Sequence, residues 1–256
     1  MSYGTVAITG AAGAIGASLA RALRAAWPTA RLALVDRDRE GLDAIAATIS
    51  GTNVHSADLG DLRALPDLVA DIERDGPIDA LVNCAGIMRV QQLASWEWSD
   101  AEALLAVDLV APLRLQSLVV RGMVERRRGL LVNIASMAGR VPLRGCAYYG
   151  AAKAGLAMAS EIARAELAES GVSVVTVYPG PVRSQLERDA REAFGGGGAI
   201  GRLAPTGDPD ELARRIVIAI ERGEPRVIYP RVYEVGWHAP NLSRWITLTY
   251  GPPPLT

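Results

Sequence analysis

Short runs that are apolar throughout alternate along this chain with longer segments in which apolar positions return every three to four residues. Uninterrupted apolar runs suit strands buried on both faces of a parallel sheet, and the longer period suits amphipathic helices. The pattern predicts strands over Thr5–Thr9, Arg31–Asp36, a segment ending near His55, Ile78–Asn83, 130–134, 172–177 and Arg226–Tyr229. Between them it predicts helices over 14–26, 39–49, 61–74 and 99–127, the last interrupted or bent at Pro112. A further helix carries Tyr149 and Lys153 and continues to Ser170. Strand and helix alternate through the sixth strand, which predicts an α/β fold: a doubly wound parallel sheet of about seven strands with helices on both faces, one domain over residues 1–256.

After Pro179 the alternation breaks. Residues 180–207 read as a long, mostly irregular stretch holding Gly195-Gly-Gly-Gly198, and such stretches in compact domains are lids or disordered segments. Residues 184–207 are therefore expected to form a substrate lid, with Phe194 its one aromatic residue. Asp208-Pro-Asp-Glu211 then opens a helix, with Asp208 as N-cap, Pro209 at the first position and Glu211 reaching back. Residues 230–256 form a tail carrying Trp237, His238, Trp245 and Tyr250. These aromatics either line an apolar pocket, dock the tail, or bury a subunit interface.

Composition narrows the function. Half of the 256 residues are hydrophobic, enough for a large core, and the net charge of −1 argues against nucleic acid or an anionic membrane as the main partner. The basic run after Glu125, Arg126 to Arg128, suits the C-terminal end of a helix. Cys84 and Cys146 have no metal-ligand spacing around them, His238 has no second ligand near it, and no metal is expected. No charged leader with an apolar core opens the chain, and no apolar stretch reads as long enough to span a bilayer. A cytoplasmic protein with reduced thiols is expected.

The candidate chemistry starts from one residue. Lys153 is the only lysine among 27 basic side chains, and it lies four residues after Tyr149. An ammonium is a compact point charge with three rotatable donors, which a guanidinium is not. Tyrosine and lysine four apart share one helix face, where the cation would stabilise a phenolate and pull the tyrosine below its ordinary value of about 10. Such a tyrosine is a general acid/base usable near neutral pH. A chance survivor in an arginine-biased composition is the competing explanation. Earlier in the chain, Thr9 to Gly16 follows the first strand and opens the first helix, where glycines let a pyrophosphate approach free N–H groups. Such a turn also serves plain strand-to-helix connections. Asp36, about twenty positions on, ends the second strand and can bond ribose hydroxyls. Its carboxylate repels a 2′-phosphate and favours NAD, while Arg37 beside it could pair with that phosphate, so NADP stays open.

From residue 3 to about 230 the chain resembles the short-chain dehydrogenase/reductase family, in its compact, Rossmann-like branch. Thr9 to Gly16 is similar to that family's TGxxxGxG turn, which implies dinucleotide contacts from Gly10, Ala12, Ile15 and Gly16. Asp58-Leu59 resembles the pair beside the adenine, and Asn83-Cys-Ala-Gly86 resembles the NNAG element, implying cofactor contacts from Asn83, Ala85 and Gly86. Ser136 stands thirteen residues before Tyr149, the spacing of the Ser-Tyr-Lys set. Pro179-Gly180, with Val182 and Ser184, resembles the segment that receives the nicotinamide carboxamide.

Three departures stand out. Ala14 replaces the usual middle glycine, with Gly13 displaced by one; Cys84 replaces the second asparagine of NNAG; and Asp108 takes the place of the asparagine that extends the catalytic set. In the family that residue kinks its helix and helps hold a water leading to the lysine. Either the main-chain carbonyl of Asp108 does that work, or its carboxylate steadies the ammonium and opposes a phenolate.

The resemblance implies reversible hydride transfer between a nicotinamide and a secondary alcohol or ketone; the tail aromatics, read as lining a pocket, favour a bulky apolar one. Tyr149 would move the proton, Lys153 would lower its pKa and hold the nicotinamide ribose, and Ser136 would donate to the substrate oxygen. Small residues on several faces of the Tyr149 helix, with the resemblance, suggest a homodimer or homotetramer; packing within one chain explains them nearly as well. Two alternatives are a 3-oxoacyl-type reductase using NADPH and a non-catalytic dinucleotide-binding regulator. The first would want a basic residue where Gly13 stands.

Overall fold

The computed structural model describes residues 3–195, 205–251 and Pro254. Seven parallel strands form one sheet: β1 Thr5–Thr9, β2 Arg31–Asp36, β3 Thr52–Ser56, β4 Ile78–Asn83, β5 Gly129–Ile134, β6 Val172–Pro179 and β7 Arg226–Tyr229. Their order across the sheet is β3-β2-β1-β4-β5-β6-β7, so the winding reverses between β1 and β4. A crevice opens at such a reversal beyond the C-terminal strand ends.

Alternation within the strands decides the layers. Val6, Ile8, Leu32, Leu34, Leu130 and Val132 face one side. There they meet helices α1 (Ala14–Ala26), α2 (Arg39–Ala46) and α8 (Pro209–Arg222). Ala7, Ala33, Val35, Leu81 and Leu131 face the other side. They meet α3 (Leu65–Ile72), α5 (Ala111–Glu125) and α6 (Ala147–Glu166). The remaining described helices are α4 (Trp98–Leu105), α7 (Gln185–Ala193), α9 (Glu234–His238) and α10 (Pro240–Tyr250).

Several expectations are corrected. Part of the described stretch after Pro179 is regular: α7 lies within it, N-capped by Ser184, whose Oγ accepts the Glu187 N–H at 3.1 Å. The rest of the glycine run, residues 196–198, lies outside the described residues. At the start of α8, Asp208 accepts from the N–H groups of Asp210 and Glu211 as expected. Glu211 does not reach back, because its carboxylate pairs with Arg214 and Arg215. The predicted break at Pro112 falls one turn earlier, as a π turn over Ala106–Val110. Ala111 N–H donates to the Ala106 carbonyl, five residues back. Pro112 is the physical cause: it has no N–H to give the Asp108 carbonyl, so the preceding turn widens.

The helical run Trp98–Glu125, 28 residues, is long and apolar enough to cross a membrane by length and composition, contrary to the sequence expectation. Leu104, Ala111, Leu115, Val119 and Met123 are buried within the fold, and the same run buries Asp108 and Gln116. It reads as a core helix. Of its buried polar groups, Gln116 accepts from Asn133, and Asp108 accepts the Ile87 N–H on Oδ1.

Candidate active site

The crevice at the β1/β4 reversal is a cleft of about 1570 Å³. One wall is the turn from β1 into α1. Gly10 has φ 68°, and a Cβ there would sit 2.6 Å from the Ala85 Cα, so only glycine lets this turn pack on the segment after β4. Thr9 Oγ1 fastens the same contact, accepting the N–H groups of Cys84 and Ala85 at 3.0 and 3.2 Å. Gly13 caps α1 without a side chain, which leaves first-turn N–H groups directed at the cleft where Ala14, Ile15 and Gly16 line it. The Asp36 carboxylate organises the turn, taking the Ala12 N–H on Oδ2 at 3.0 Å and the Asp38 N–H on Oδ1 at 3.1 Å.

The catalytic end is built by close packing of β5 and α6. Ser136, extended just past β5, caps the turn Met137–Gly139 through its Oγ. A Cβ on Gly139 would come within 2.6 Å of the α6 backbone at Lys153 and Ala154, so this glycine draws the serine turn onto the helix. Tyr149 in the first turn of α6 and Lys153 one turn later point the same way, with Nζ 5.8 Å from the phenol ring centroid. All three side chains are buried at the floor of the cleft, and Ser136 Oγ accepts the Ala138 N–H at 3.1 Å.

Asp108 lies behind them. Its Oδ1 accepts the Ile87 N–H at 2.7 Å. Its Oδ2 stands 3.2 Å from Lys153 Nζ, an ion pair by distance in which the angle falls short of a hydrogen bond. Lys153 also donates to the Ile134 carbonyl at 3.3 Å. Burial raises the Asp108 pKa above the usual carboxylate range, with Lys153 and the Ile87 N–H pulling it back. For Lys153, burial acts to lower the pKa, and Asp108 and Tyr149 together outweigh it and raise it.

The expectation of a phenol pulled below its ordinary value does not hold. Burial raises the Tyr149 pKa and dominates; the Lys153 cation lowers it, Asp108 raises it again, and nearby Ser136 lowers it. A helical spacing reveals the cation but not the depth of the floor.

Most of the predicted dinucleotide residues line this one cleft: Gly10, Ala12, Ile15 and Gly16 in the turn, Asp36 and Arg37 after β2, Asp58 and Leu59 after β3. Ala85, Gly86, Pro179, Gly180, Val182 and Ser184 complete them. Asn83 does not reach the cleft. It is buried in the sheet and donates to Asn133 Oδ1 at 2.9 Å. Sequence reasoning did not name the rest of the lining, which includes Met88, Val141 and Leu143 and, from the tail, Val235, Ser243, Ile246 and Thr247. Of the tail aromatics, Trp237 packs on Tyr178, whereas Trp245 and Tyr250 are exposed and turned on each other.

The dinucleotide fits the residues present: an uncapped helix start, a glycine that no side chain could replace, and a carboxylate at the end of β2 converge on one crevice. A family model described as short chain dehydrogenase matches residues 4–194. The chain belongs to the short-chain dehydrogenase family. It is 36% identical over 222 residues to D-threitol dehydrogenase of Mycolicibacterium smegmatis, covering 82% of this chain and 83% of that protein. Among solved structures, a short-chain dehydrogenase from Streptomyces avermitilis superposes with a TM-score of 0.81 at 27% identity, over 96% of this chain and 95% of that one. A short-chain dehydrogenase from Sphingobium yanoikuyae in complex with NADPH gives 0.78 at 30% identity, over 96% of each chain. As a short-chain dehydrogenase, the protein is an NAD(P)-dependent oxidoreductase acting on hydroxyl and keto groups of small molecules.

Proposed function

We propose that the protein interconverts a bulky, apolar secondary alcohol and its ketone, with Tyr149 as acid/base, Ser136 as donor to the substrate oxygen and Lys153 as the cation beside both. The observation that carries this is the convergence of Ser136, Tyr149 and Lys153 on the floor of the cleft that the glycine turn opens. A bound nicotinamide supplies the hydride in one direction and accepts it in the other. In reduction Tyr149 gives its phenol proton to the carbonyl oxygen, while Ser136 stabilises the charge developing there. In oxidation the phenolate takes the hydroxyl proton, and Lys153 offsets its charge. Asp36 and Arg37, Asp58 and Leu59 would hold the adenosine end, and Pro179, Gly180, Val182 and Ser184 the carboxamide end.

A cleft larger than the roughly 300–1,000 Å³ of ordinary ligand pockets leaves room for substrate beside the dinucleotide. Met88, Val141, Leu143, Val235 and Ile246 make that room apolar, which supports the substrate class. The lid expected over 184–207 is carried by its described part, where Ser184 to Arg188, Ala190, Arg191 and Phe194 line the cleft; residues 196–204 lie outside the described residues. NAD is preferred on the Asp36 carboxylate; exposed Arg37 on the same rim is what supports NADP. The free, unpaired cysteines suit a cytoplasmic protein, and exposed Leu113 and Val124 on α5 with Met158 and Ile162 on α6 suit a homodimer or homotetramer.

The test is the absorbance of reduced nicotinamide as the purified protein is offered NAD or NADP with polar and apolar secondary alcohols. Tyr149→Phe is expected to lower kcat by about 10²–10⁴-fold and Lys153→Arg to lower it steeply. Turnover undiminished in Tyr149→Phe would remove Tyr149 from this role.

A further inference from the structure

The floor of the site holds a charge that its backbone contact does not require. Asp108 is 0% exposed, and Oδ1 is occupied by the Ile87 N–H. An asparagine amide could accept that N–H equally well. What the carboxylate adds is a negative charge 3.2 Å from Lys153 Nζ, on an oxygen with no hydrogen-bond donor of its own. One ammonium thus stands between two claimants, Asp108 and the phenolate form of Tyr149.

We propose that Asp108 is a positioning residue which, acting through Lys153, keeps Tyr149 in its proton-carrying phenol form at neutral pH, so that the site waits loaded for carbonyl reduction. Resting on the reading of Tyr149 as acid/base, the step balances: the phenol O–H bond breaks as its proton goes to the carbonyl oxygen. The hydride given up by the reduced nicotinamide completes the new C–H bond at the carbonyl carbon. The phenolate left beside Lys153 then regains a proton from solvent. Alcohol oxidation needs that phenolate first, and a buried carboxylate this close opposes it. The equilibrium of the overall reaction is unaltered; Asp108 sets the protonation state in which the enzyme rests.

The groups facing Tyr149 are few. Lys153 and Cys146 come from α6 and its cap, Ser136 from the turn after β5, and Asp108 from the π turn; Cys84, after β4, acts on Lys153. Burial raises the phenol most, Lys153 opposes that, Asp108 and Cys146 add to it, and Ser136 opposes it. Of these, Asp108 is the one charge that an isosteric substitution removes while keeping the Ile87 contact.

The test is Asp108→Asn in the full chain, with the Tyr149 ring carbon followed by NMR through a pH titration of the unliganded protein, assigned with Tyr149→Phe. The Tyr149 midpoint is expected to fall by about one pH unit or more. In turnover, the acid limb of alcohol oxidation and the alkaline limb of carbonyl reduction should both move to lower pH, raising oxidation near neutrality by about tenfold. Asp108→Ala, checked for folding by thermal denaturation, should move the midpoint the same way. A midpoint that stays or rises in both variants, or a kcat that drops evenly at every pH with the limbs unmoved, overturns the proposal. Turnover surviving in Tyr149→Phe overturns the role of Tyr149 instead, and the NMR midpoint still judges Asp108.

Discussion

The side-chain amide of Asn83 donates to Oδ1 of Asn133 at 2.9 Å, linking the central strand of the sheet to its neighbour. Asn133 passes the bond on, donating to Ser160 Oγ at 2.8 Å and Gln116 Oε1 at 3.3 Å. Ser160 in turn donates to the Leu156 carbonyl at 2.7 Å, and Gln116 to that of Pro112 at 3.1 Å. The chain of bonds ties β4 and β5 to α5 and α6, the two helices that carry Pro112 and the Tyr149–Lys153 pair. Of the side-chain polar atoms in this network only Asn83 Oδ1 lacks a partner, and unpairing a buried member is costly at low local dielectric.

Asn133→Leu should therefore cost more than its volume suggests. It removes an acceptor and a double donor, leaving Asn83, Ser160 and Gln116 short of partners away from water. A loss of about 2–4 kcal/mol is expected in denaturant unfolding, with the slope against denaturant unchanged. A loss below about 0.5 kcal/mol would mean that water replaces the amide inside the sheet.

Cofactor choice should turn on Asp36. Asp36→Asn keeps an oxygen to accept the Ala12 N–H, now 3.0 Å from Oδ2, but removes the charge that a 2′-phosphate would meet. The ratio of kcat/KM with NADP to that with NAD should rise about tenfold or more, equivalent to roughly 1.4 kcal/mol. Arg37→Ala in that background should take part of the gain back. An unchanged ratio would place the adenosine ribose away from Asp36.

Alkali should unfold the protein through groups that burial holds protonated. Cys84 and Cys146 are pushed from 9.0 up to about 12 by burial, and Tyr178 from 10.0 to about 12, chiefly by burial and then by Glu161. Each folded-state value lies above the unfolded one, so the native state binds more protons over that window. Stability from these groups is full below about pH 9 and is lost as pH rises towards about 12. Cys84 lines the cleft and keeps some surface, so fully buried Cys146 carries the firmer expectation. Unfolding midpoints should fall from about pH 9 upward, and a maleimide should label native Cys146 far more slowly than the denatured chain. Rapid labelling of native Cys146 at neutral pH would contradict this.

The sheet was legible because its strands are apolar without alternation, and β1, β2 and β4 fall on their predicted bounds. Leu-Val-Asn closes β4 and recurs one residue short of the end of β5, a repetition that signals the Asn83–Asn133 pair, since their register sets those residues opposite. Helix α7 escaped because its residues are polar, yet Ser184 with Glu187 three residues on is a helix-start signature, and Arg191 pairs with Glu187 one turn back. In the floor of the site, spacing gave Tyr149 and Lys153 a shared face. The raised phenol followed from burial, which depends on how β5, α6 and the π turn close over it. The sequence presents the tail through its aromatics, one reading being that they line an apolar pocket; the tail does line the cleft, but through Val235, Ser243, Ile246 and Thr247, whose side chains carry no signal comparable to a tryptophan's.

That tail supplies the last prediction. The Trp237 ring meets Tyr178 edge-on at 4.7 Å between centroids, and the guanidinium groups of Arg140 and Arg226 stand 4.4 and 4.8 Å from its centroid. Arg226 also pairs with Glu161 at 3.5 Å, which helps hold it beside the ring. Farther on, Arg144 donates to the Leu248 carbonyl at 2.6 Å. Between these two anchors lie Ser243, Ile246 and Thr247, which line the substrate side of the cleft. Trp237→Ala removes an aromatic contact and two cation–π contacts, together about 1–3 kcal/mol. The loss falls on the tail more than on the sheet, since the core beneath is closed by other residues. Limited proteolysis should then cut within residues 231–251 at a much higher rate, while the denaturant midpoint of the remainder moves little. KM for an apolar alcohol should rise by about tenfold with a smaller change in kcat, because the floor that carries Ser136 and Tyr149 is untouched. Wild-type KM together with rapid tail cleavage would show that the far wall does not contact substrate, and that the apolar residues of the tail serve packing alone.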